Sequence, residues 1–346
     1  MKRKDEYRKI YETSFSDDSV WVDWMMRRVY DNSEVMLIED ESGAKAASGL
    51  LLRSYGWRYF GADLDMSYIY GACTLPRCRA HGYMRRLIDE SLRRSVERGD
   101  AICTLIPATR SLYGYYSAFG FSPAVYIDRE RYTAVHHFEN TGLYHDAEAV
   151  YDDFHRLEMK SDNTVSHSAD DFADILDDLH FDGGDAFAVV SASDGGTSAM
   201  AFAVPHRDSI HVKALFAEST ESKNAVLSRV RERYGELMTV VDCFVDGRRR
   251  SLERHGMVRL LDVFQILNAM AASDPQLNCT VRVRDSRIAG NSDIFTISDG
   301  ICRRGGTAAD LDVGIDTLAS IIGSSESVGR LMGLRSTHFR LPLMLD

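Results

Sequence analysis

The segment between residues 69 and 88 constrains the fold of this chain more than any other part of its sequence. An apolar stretch up to Pro76 predicts a strand, a basic loop follows, and the pattern after Gly82 predicts a helix. The first N–H groups of a helix have no partner within it, and together with the helix dipole they favour an anion. Positive charge around the loop comes from three arginines: Arg79, Arg85 and Arg86. The segment therefore predicts a site for a phosphate group.

Two common phosphate-binding motifs are absent from this loop. It has neither the Gly-Lys-Ser/Thr ending of a nucleoside-triphosphate loop nor the three spaced glycines of a dinucleotide-binding fold. Residues 79–84, Arg-Ala-His-Gly-Tyr-Met, resemble instead the coenzyme A pyrophosphate loop of the GNAT acetyltransferases, whose pattern is Arg/Gln-x-x-Gly-x-Gly/Ala. Met84 departs from the small residue that usually ends this pattern. The resemblance implies that acetyl-coenzyme A (acetyl-CoA) is the source of the phosphate.

A second motif follows in the order and at the separation that GNAT enzymes show. The apolar run over residues 101–107 predicts a strand, and a short helix rich in tyrosine is predicted after it. In GNAT enzymes this helix carries a tyrosine and ends in Phe-Gly-Phe or Phe-Gly-Tyr, an ending that Tyr116 and residues 119–121 reproduce. Gly120 predicts the end of the helix, because glycine adopts the left-handed conformation at low cost. By this resemblance, residues 1–135 are predicted to be a catalytic GNAT N-acetyltransferase domain.

Composition favours a cytoplasmic enzyme. The 346 residues suffice for two or three domains, and the formal charge of −11 argues against a nucleic-acid partner while favouring cationic substrates. No apolar run reaches the length of a membrane span, and the polar N-terminus does not resemble a signal peptide. The six cysteines show no metal-ligand spacing, so we expect free thiols, no metal and no membrane association.

The order of elements in the first domain returns in the middle of the chain. Asp170 and Asp171 predict the start of a helix with one apolar face. Four strands are predicted after it, at residues 186–192, 199–205, 209–217 and 240–245. The loop at the equivalent of the phosphate site, residues 217–223, has no glycine and carries two glutamates. Residues 136–257 are therefore predicted to be a degenerate GNAT-like domain that binds no coenzyme.

The last ninety residues follow a different pattern. Helices are predicted over residues 260–270 and 314–322, two strands between them, and a final strand over residues 338–341. Residues 311–320 resemble the sterol-carrier-protein fold, so residues 258–346 are predicted to be a sterol-carrier-protein-like α+β domain. The predicted fold class is therefore α/β (α+β) multidomain, with two tandem GNAT-like domains followed by that third domain.

This plan resembles the enhanced-intracellular-survival (Eis-like) acetyltransferases, and the resemblance implies roles for particular residues. The backbone of three strand residues should pair with the pantetheine arm and supply an N–H for the oxyanion: Ala72, Cys73 and Thr74. The backbone of five loop residues should hold the pyrophosphate: Arg79, Ala80, Gly82, Tyr83 and Met84. Ser111 matches a family position near the coenzyme. A homo-oligomer built through the non-catalytic domains is also implied.

The resemblance names two catalytic residues. Tyr116 matches the tyrosine that protonates the departing thiolate. Asp346 ends the sequence, and in this family the terminal carboxylate takes the proton of the amine, so its α-carboxylate and its side chain are both candidates. A water relay to Asp63 or Asp65 is the alternative base.

The sequence therefore predicts an N-acetyltransferase that uses acetyl-CoA and acts by direct attack in a ternary complex. The expected acceptor is a primary amine on a small polyamine, an aminoglycoside-like molecule or a lysine side chain. Two alternatives stay open: a coenzyme A-binding regulator without turnover, and a lipid or small-molecule binding protein that acts through the C-terminal domain.

Overall fold

The computed structural model describes residues 2–40, 45–245, 252–324, 333 and 337–345. The N-terminal third forms α1 (Lys2–Ser14), α2 (Ser19–Arg28), β1 (Glu34–Glu39), β2 (Ala46–Tyr59), β3 (Ala62–Thr74), α3 (Tyr83–Arg98), β4 (Ile102–Leu105), α4 (Arg110–Ser117) and β5 (Ser122–Tyr132). The predicted strand, loop and helix between residues 69 and 88 are confirmed.

The middle of the chain repeats this alternation of strands and helices. It forms β6 (Tyr144–Ala147), α5 (Tyr151–Glu158), β7 (Asn163–Ser166), α6 (Ala169–Phe181), β8 (Asp185–Ser191), β9 (Thr197–Pro205), β10 (Ser209–Ala217), α7 (Thr220–Tyr234), β11 (Met238–Phe244) and β12 (Glu253–Leu260). The C-terminal part forms α8 (Val263–Ser273), β13 (Cys279–Arg284), β14 (Asp293–Ser298), β15 (Ile301–Arg304), β16 (Leu311–Gly314) and α9 (Ile315–Ser324). The predicted mixed α/β class is confirmed.

One large sheet joins the first two units. Among the described residues its strand order is β1-β2-β3-β4-β12-β5-β11-β10-β9-β8-β6, with β7 paired to the end of β2. The units exchange strands: β5 pairs with β11 of the second unit, and β12 returns to lie between β4 and β5 of the first. The domain boundary predicted between residues 257 and 258 falls inside β12, and the domain limits stay a prediction.

A helix-to-helix contact fixes the two units against each other. The N-terminal half of α6 and its last turns present aspartates to the first unit. Trp21 Nε1 donates a hydrogen bond to Asp178 Oδ1 at 2.8 Å. Arg53, whose side chain is almost fully buried, pairs with Asp171 at 2.9 Å. Since a buried guanidinium is costly to leave unpaired, these contacts hold α6 in one place.

The C-terminal part has a sheet of its own, with the order β15-β14-β13-β16. Helix α8 covers it with apolar residues that are almost fully buried, Ile266, Leu267 and Met270. The final strand predicted over residues 338–341 is wrong. Arg340 makes a single bridge to Thr164 of β7, and Pro342, which has no N–H to donate, follows at once. Among the described residues, no helix is both long and apolar enough to cross a membrane.

Candidate active site

Strands β3 and β4 separate partway along their length. They pair in parallel only from Met66–Ile102 to Tyr68–Thr104, while β3 continues to Thr74. Along residues 69–74, β3 keeps its antiparallel partner β2 on one side, and in the described chain no strand pairs with its other side. An extended ligand can bind such an edge through main-chain hydrogen bonds, as an added strand does.

A bulge in β3 lies beside this edge. The register with β2 shifts between Gly49 and Leu51, opposite Gly71. Gly71 has a φ of +56°, and its carbonyl accepts a hydrogen bond from the Tyr7 hydroxyl at 3.0 Å. A Cβ at this position would collide with the Tyr7 hydroxyl, so only glycine fits here. The bulge turns the backbone of Ala72 and the residues after it away from β4.

The N-terminus of α3 is open. Gly82 precedes the helix with a φ of +76°, and no side chain caps it. The Arg86 N–H is bonded to the Gly82 carbonyl, so the N–H groups of the three preceding residues have no acceptor within the helix. Ala80 also has a positive φ, +65°, a conformation that costs a residue with a Cβ roughly 1–2 kcal/mol. Strain of this kind concentrates at ligand-binding loops.

A cavity of about 610 Å³ lies between the free edge of β3, this loop and α4. Eight of the nine predicted coenzyme-binding residues line it: Ala72, Cys73, Thr74, Arg79, Ala80, Gly82, Tyr83 and Met84. Tyr116 lines it too, as do Ser14 and Phe15 at the end of α1. We call this the coenzyme cavity. Ser111 is not part of its lining; the Ser111 hydroxyl lies exposed at the start of α4, 2.9 Å from Thr109 Oγ1.

Tyr116 is buried in α4 with its ring against two aromatic neighbours. The ring centroids of Tyr115 and Phe121 lie 5.4 and 6.0 Å away. Within the part of the chain that the structure describes, its hydroxyl has no hydrogen-bond partner. Burial, and to a smaller extent Tyr115, raises the pKa of Tyr116 to about 12. The phenol therefore carries its proton at neutral pH and is able to donate it.

Cys73 lies beside the tyrosine in the same cavity and is a poor nucleophile. Its side chain is buried, and burial raises the pKa of the thiol to about 12. A neutral thiol does not attack a thioester, since the thiolate is the reactive form. All six cysteines are free, and among the described residues no group of His, Cys, Asp or Glu side chains could hold a metal ion.

The end of α4 is braced by residues that the sequence did not reveal. Gly120 has a φ of +83°, as predicted, and a Cβ there would lie 3.0 Å from Arg259 Nε of β12. The Arg259 Nη2 donates to both carboxylate oxygens of Asp285 at 2.7 Å, and both side chains are fully buried. Arg287 donates to the Ala118 carbonyl at 2.8 Å. The C-terminal part of the chain thus holds the helix that carries Tyr116.

A second cavity, of about 790 Å³, borders the opposite side of α4, and we call it the acceptor cavity. Its walls come from the β4–α4 loop, from β10 and β11 of the second unit, and from residues 343–345. Tyr113 of α4 lines it and donates to the Arg254 carbonyl at 2.8 Å. Tyr68 of β3 donates to the Leu345 carbonyl at 2.7 Å, which holds the C-terminal segment against the first unit. Strand β5, helix α6 and residues 252–255 line it too, and because segments so distant in sequence build this cavity, no local pattern predicted it.

The predicted general base, Asp346, lies outside the described residues. The alternative bases do not lie near the site. Asp63 is exposed and pairs with Arg58 at 2.7 Å at the start of β3. At about 3.3 Å per strand residue it lies roughly 30 Å from Ala72, and Asp65 roughly 23 Å, so one water molecule cannot bridge the gap. The predicted relay through either carboxylate is therefore wrong.

The sequence match identifies the class of protein. Residues 2–124 match the family model described as the acetyltransferase (GNAT) domain. This part of the chain is a GNAT acetyltransferase domain, and the protein is accordingly an enzyme of the transferase class. No curated protein matches the sequence.

Solved structures match almost the whole chain. A GCN5-related N-acetyltransferase from Anabaena variabilis is 15% identical, with a TM-score of 0.76 over 97% of this chain and 96% of that chain. A probable N-acyltransferase from Enterococcus faecalis is 13% identical, with a TM-score of 0.75 over 97% and 92%. Eis1 from Mycobacterium abscessus is 14% identical, with a TM-score of 0.69 over 96% and 90%. At these identities the likeness concerns the fold, which is GNAT-like across the chain.

Proposed function

We propose that the protein transfers the acetyl group of acetyl-CoA to a primary amine by direct attack in a ternary complex. One observation carries the proposal: the coenzyme cavity brings together the free edge of β3, the open N-terminus of α3 and the hydroxyl of Tyr116. The strand edge suits an extended arm, the helix N-terminus suits an anion, and the hydroxyl suits a group that accepts a proton. A coenzyme A thioester supplies all three during acyl transfer: the pantetheine arm, the pyrophosphate and the departing thiolate.

The binding of the coenzyme follows from the backbone. The edge from Ala72 to Thr74 pairs with the amide groups of the pantetheine arm, as a neighbouring strand would. The N–H groups of Tyr83 and Met84, with others of the loop, donate to the pyrophosphate at the positive end of α3. Hydrogen bonds to a charged group contribute roughly 1.5–3 kcal/mol each. Arg79 and Arg85 line the same cavity and add attraction.

The chemistry needs two proton transfers. The neutral amine attacks the thioester carbonyl carbon, and the oxyanion that forms accepts a hydrogen bond from an N–H of β3 near Ala72. The carbon–sulfur bond then breaks and Tyr116 donates its proton to the thiolate. The ammonium nitrogen loses a proton to Asp346, which follows Leu345 in sequence, the residue whose carbonyl Tyr68 holds at 2.7 Å.

The acceptor binds in the acceptor cavity, which borders α4 on the side opposite the coenzyme cavity, and reaches the thioester from there. Leu112, Tyr115 and Tyr116 of α4 line the coenzyme cavity, whereas Arg110 and Tyr113 line the other. A primary amine on a small molecule or a lysine side chain fits an opening of this size. The sterol-carrier-like assignment of residues 258–346, a homo-oligomer and a cytoplasmic location stay predictions.

The test is an acetyl-transfer assay in which the release of free thiol is measured, with polyamines, aminoglycosides and lysine peptides as acceptors. Replacing Tyr116 by Phe should lower kcat about 10²–10⁴-fold, the usual contribution of a positioned acid, and leave coenzyme affinity intact. Tyr234→Phe is the matched control, since this tyrosine lies on α7 and donates to the Gly183 carbonyl. A chain without Asp346 should lose activity at the amine step.

The outcomes separate the competing functions. Amine-dependent thiol release that falls in Tyr116→Phe and not in Tyr234→Phe supports the proposal. Tight coenzyme binding in calorimetry without turnover of any amine would favour a coenzyme-binding regulator. Absence of coenzyme binding would overturn the proposal and leave binding through the C-terminal part as the alternative.

A further inference from the structure

The charges that line the acceptor cavity are unequal. Among the described residues, three carboxylates line it, those of Asp178, Asp242 and Glu253. Four permanently charged cations line it as well: Arg110, Arg129, Lys213 and Arg254. Among the described lining residues the cations thus outnumber the carboxylates by one, whereas the chain as a whole has a formal charge of −11. Local charge in a cleft selects ligands more strongly than net charge does, because the field is concentrated there.

Two of the carboxylates are already bound by a shared cation. Asp242 Oδ1 accepts a hydrogen bond from Arg129 Nε at 3.0 Å. Its other oxygen lies 2.9 Å from His211 Nε2. Glu253 accepts a hydrogen bond from Arg129 Nη1 at 2.5 Å. Asp242 thus has a partner on both oxygens, and Glu253 on one.

The third carboxylate is bound too. Asp178 accepts the hydrogen bond from Trp21 at 2.8 Å, and Lys213 Nζ lies 3.8 Å from its other oxygen. Arg110 and Arg254 remain, and neither has a carboxylate partner in the part of the chain that the structure describes. The only assigned contact of the Arg254 guanidinium there is with the Tyr113 ring, whose centroid lies 5.9 Å away.

The position of Arg110 relative to Tyr116 follows from α4. Arg110 begins α4 and Tyr116 lies six residues later, which is roughly 9 Å along a helix that rises 1.5 Å per residue. The surface between them is apolar, with Tyr113 on the helix and residues 343–345 facing it across the cavity. A ligand that places an amine at the thioester thus meets first an apolar wall and then two cations.

We infer that the acceptor amine carries an anionic group, a carboxylate or a phosphate, which Arg110 and Arg254 bind. This inference rests on the proposed function for the position of the amine. It names a substrate class that the overall charge does not suggest: amines with an anionic end, separated from the nitrogen by a short apolar chain. Polyamines and other polycations are then poor substrates, because their second ammonium group faces the two arginines.

Three amines of equal length test the inference: hexylamine, 6-aminohexanoate and 1,6-diaminohexane. They share a reacting end and a chain and differ in the charge of the far end. We expect kcat/KM for 6-aminohexanoate to exceed that for hexylamine about tenfold, the effect of one or two charge-assisted hydrogen bonds. The diamine should be the poorest. The advantage should shrink as salt is added, since the arginines are exposed.

Variants assign the effect to the two arginines. In the double variant Arg110→Gln, Arg254→Gln, the ratio of kcat/KM for 6-aminohexanoate to kcat/KM for hexylamine should fall to about one. Arg303→Gln is the matched control, since Arg303 is exposed on β15 of the C-terminal sheet. A diamine preferred by the wild type, or a carboxylate advantage that survives in the double variant, would overturn the inference and leave the proposed function standing.

A binding measurement distinguishes a failure of this inference from a failure of the proposed function. Calorimetry with the full chain saturated in coenzyme A compares 6-aminohexanoate and hexylamine without any turnover. If no amine is acetylated, the proposed function fails; tighter binding of 6-aminohexanoate that the double variant abolishes still supports the anion site. Equal binding of the two amines to the wild type overturns it.

Discussion

Two helices in this molecule begin after equivalent strands, and only one of their N-termini is open. Helix α3 follows β3 and begins at Gly82, with no side-chain cap. Helix α7 follows β10 and begins at Ser219, whose hydroxyl accepts from the Ser222 N–H at 3.0 Å while Ser222 Oγ accepts from the Ser219 N–H. The capping box of the second helix thus satisfies the Ser222 N–H, the equivalent of the Arg85 N–H that α3 leaves for a ligand.

The clefts beside the two helices also differ: the cleft of the first unit is larger than that of the second. Strands β10 and β11 pair in parallel over Ser209–Val212 and then separate, as β3 and β4 do. The cavity between them is about 170 Å³, against about 610 Å³ in the first unit, and Arg340 and Pro342 from the C-terminal segment line it. At the loop, Glu218 adds a carboxylate where a pyrophosphate would lie.

The comparison teaches that this fold does not by itself make a coenzyme site. On the proposed function, glycine at a positive φ and a missing cap create the site in the first unit, whereas a capping box and a smaller cleft leave none in the second. The second unit contributes in other ways: it supplies β12 to the sheet of the first, and β10 and β11 form a wall of the acceptor cavity.

The largest effect we expect concerns the Arg259–Asp285 pair that braces the end of α4. Replacing Asp285 by Asn should lower the free energy of unfolding by about 3–5 kcal/mol, because it leaves the buried Arg259 guanidinium without its counter-charge. Chemical denaturation of the full chain measures this. A loss below about 1 kcal/mol would show that the C-terminal part does not hold α4 through this pair.

The sign of the pH dependence gives a second check on this pair. Burial alone would raise the pKa of Asp285, but the charge of Arg259 and hydrogen bonds from Asn291 and Arg259 bring it below the ordinary 3.8. A carboxyl whose pKa is lower in the folded state than in the unfolded state stabilises the fold at pH values above its ordinary pKa. This stabilisation is lost as the pH falls through the pKa of the folded state. The gap between wild type and Asp285→Asn should therefore be widest near neutral pH and narrow in acid.

The next largest effect we expect is on coenzyme affinity, when a side chain is placed at the open N-terminus of α3. Gly82→Asp places a carboxylate at the N-terminus of α3, where it competes with the pyrophosphate for the same N–H groups. Asp tolerates a positive φ better than most residues, and nothing lies within 4 Å of the position a Cβ would take. We expect coenzyme affinity in calorimetry to fall about 100-fold with stability little changed. Unchanged affinity would mean that the coenzyme binds elsewhere.

The reverse change removes the N-terminal cap of α7 in the second unit. Ser219→Ala removes the cap of α7 and should cost about 1 kcal/mol of stability, the usual contribution of such a cap. Coenzyme binding should stay at one molecule per chain, because Glu218 and the smaller cleft remain. A second binding event in calorimetry would show that the cap alone keeps this unit from binding.

The smallest effect we expect is that of alkaline pH on the rate of acetyl transfer, which should not change. Since burial raises the pKa of Tyr116 to about 12, the phenol stays protonated up to about pH 11. The rate of acetyl transfer at saturating substrates should therefore show no alkaline fall between pH 7 and 10. A fall that centres below pH 10 in the wild type and is missing in Tyr116→Phe would place the pKa of this tyrosine lower than the structure indicates.

The local signals in the sequence were strong enough to predict the strand, loop and helix at residues 69–88 and the end of α4 at Gly120. Each depends on neighbours a few residues apart, such as a glycine that allows a positive φ or an apolar period. The strand predicted at residues 338–341 failed because its pairing depends on β7, more than 170 residues earlier in the sequence.

By itself, the sequence determined the strand, loop and helix at residues 69–88, and it shows that the loop at residues 217–223 has no glycine and carries two glutamates. The tertiary structure alone decided that β12 completes the first sheet, that Arg259 and Asp285 brace α4, and that Arg110 and Arg254, which have no carboxylate partner among the described residues, line the acceptor cavity. The physical reason is range: backbone conformation and capping are set within a turn of helix, whereas a cavity and its charge balance arise only when distant segments pack together.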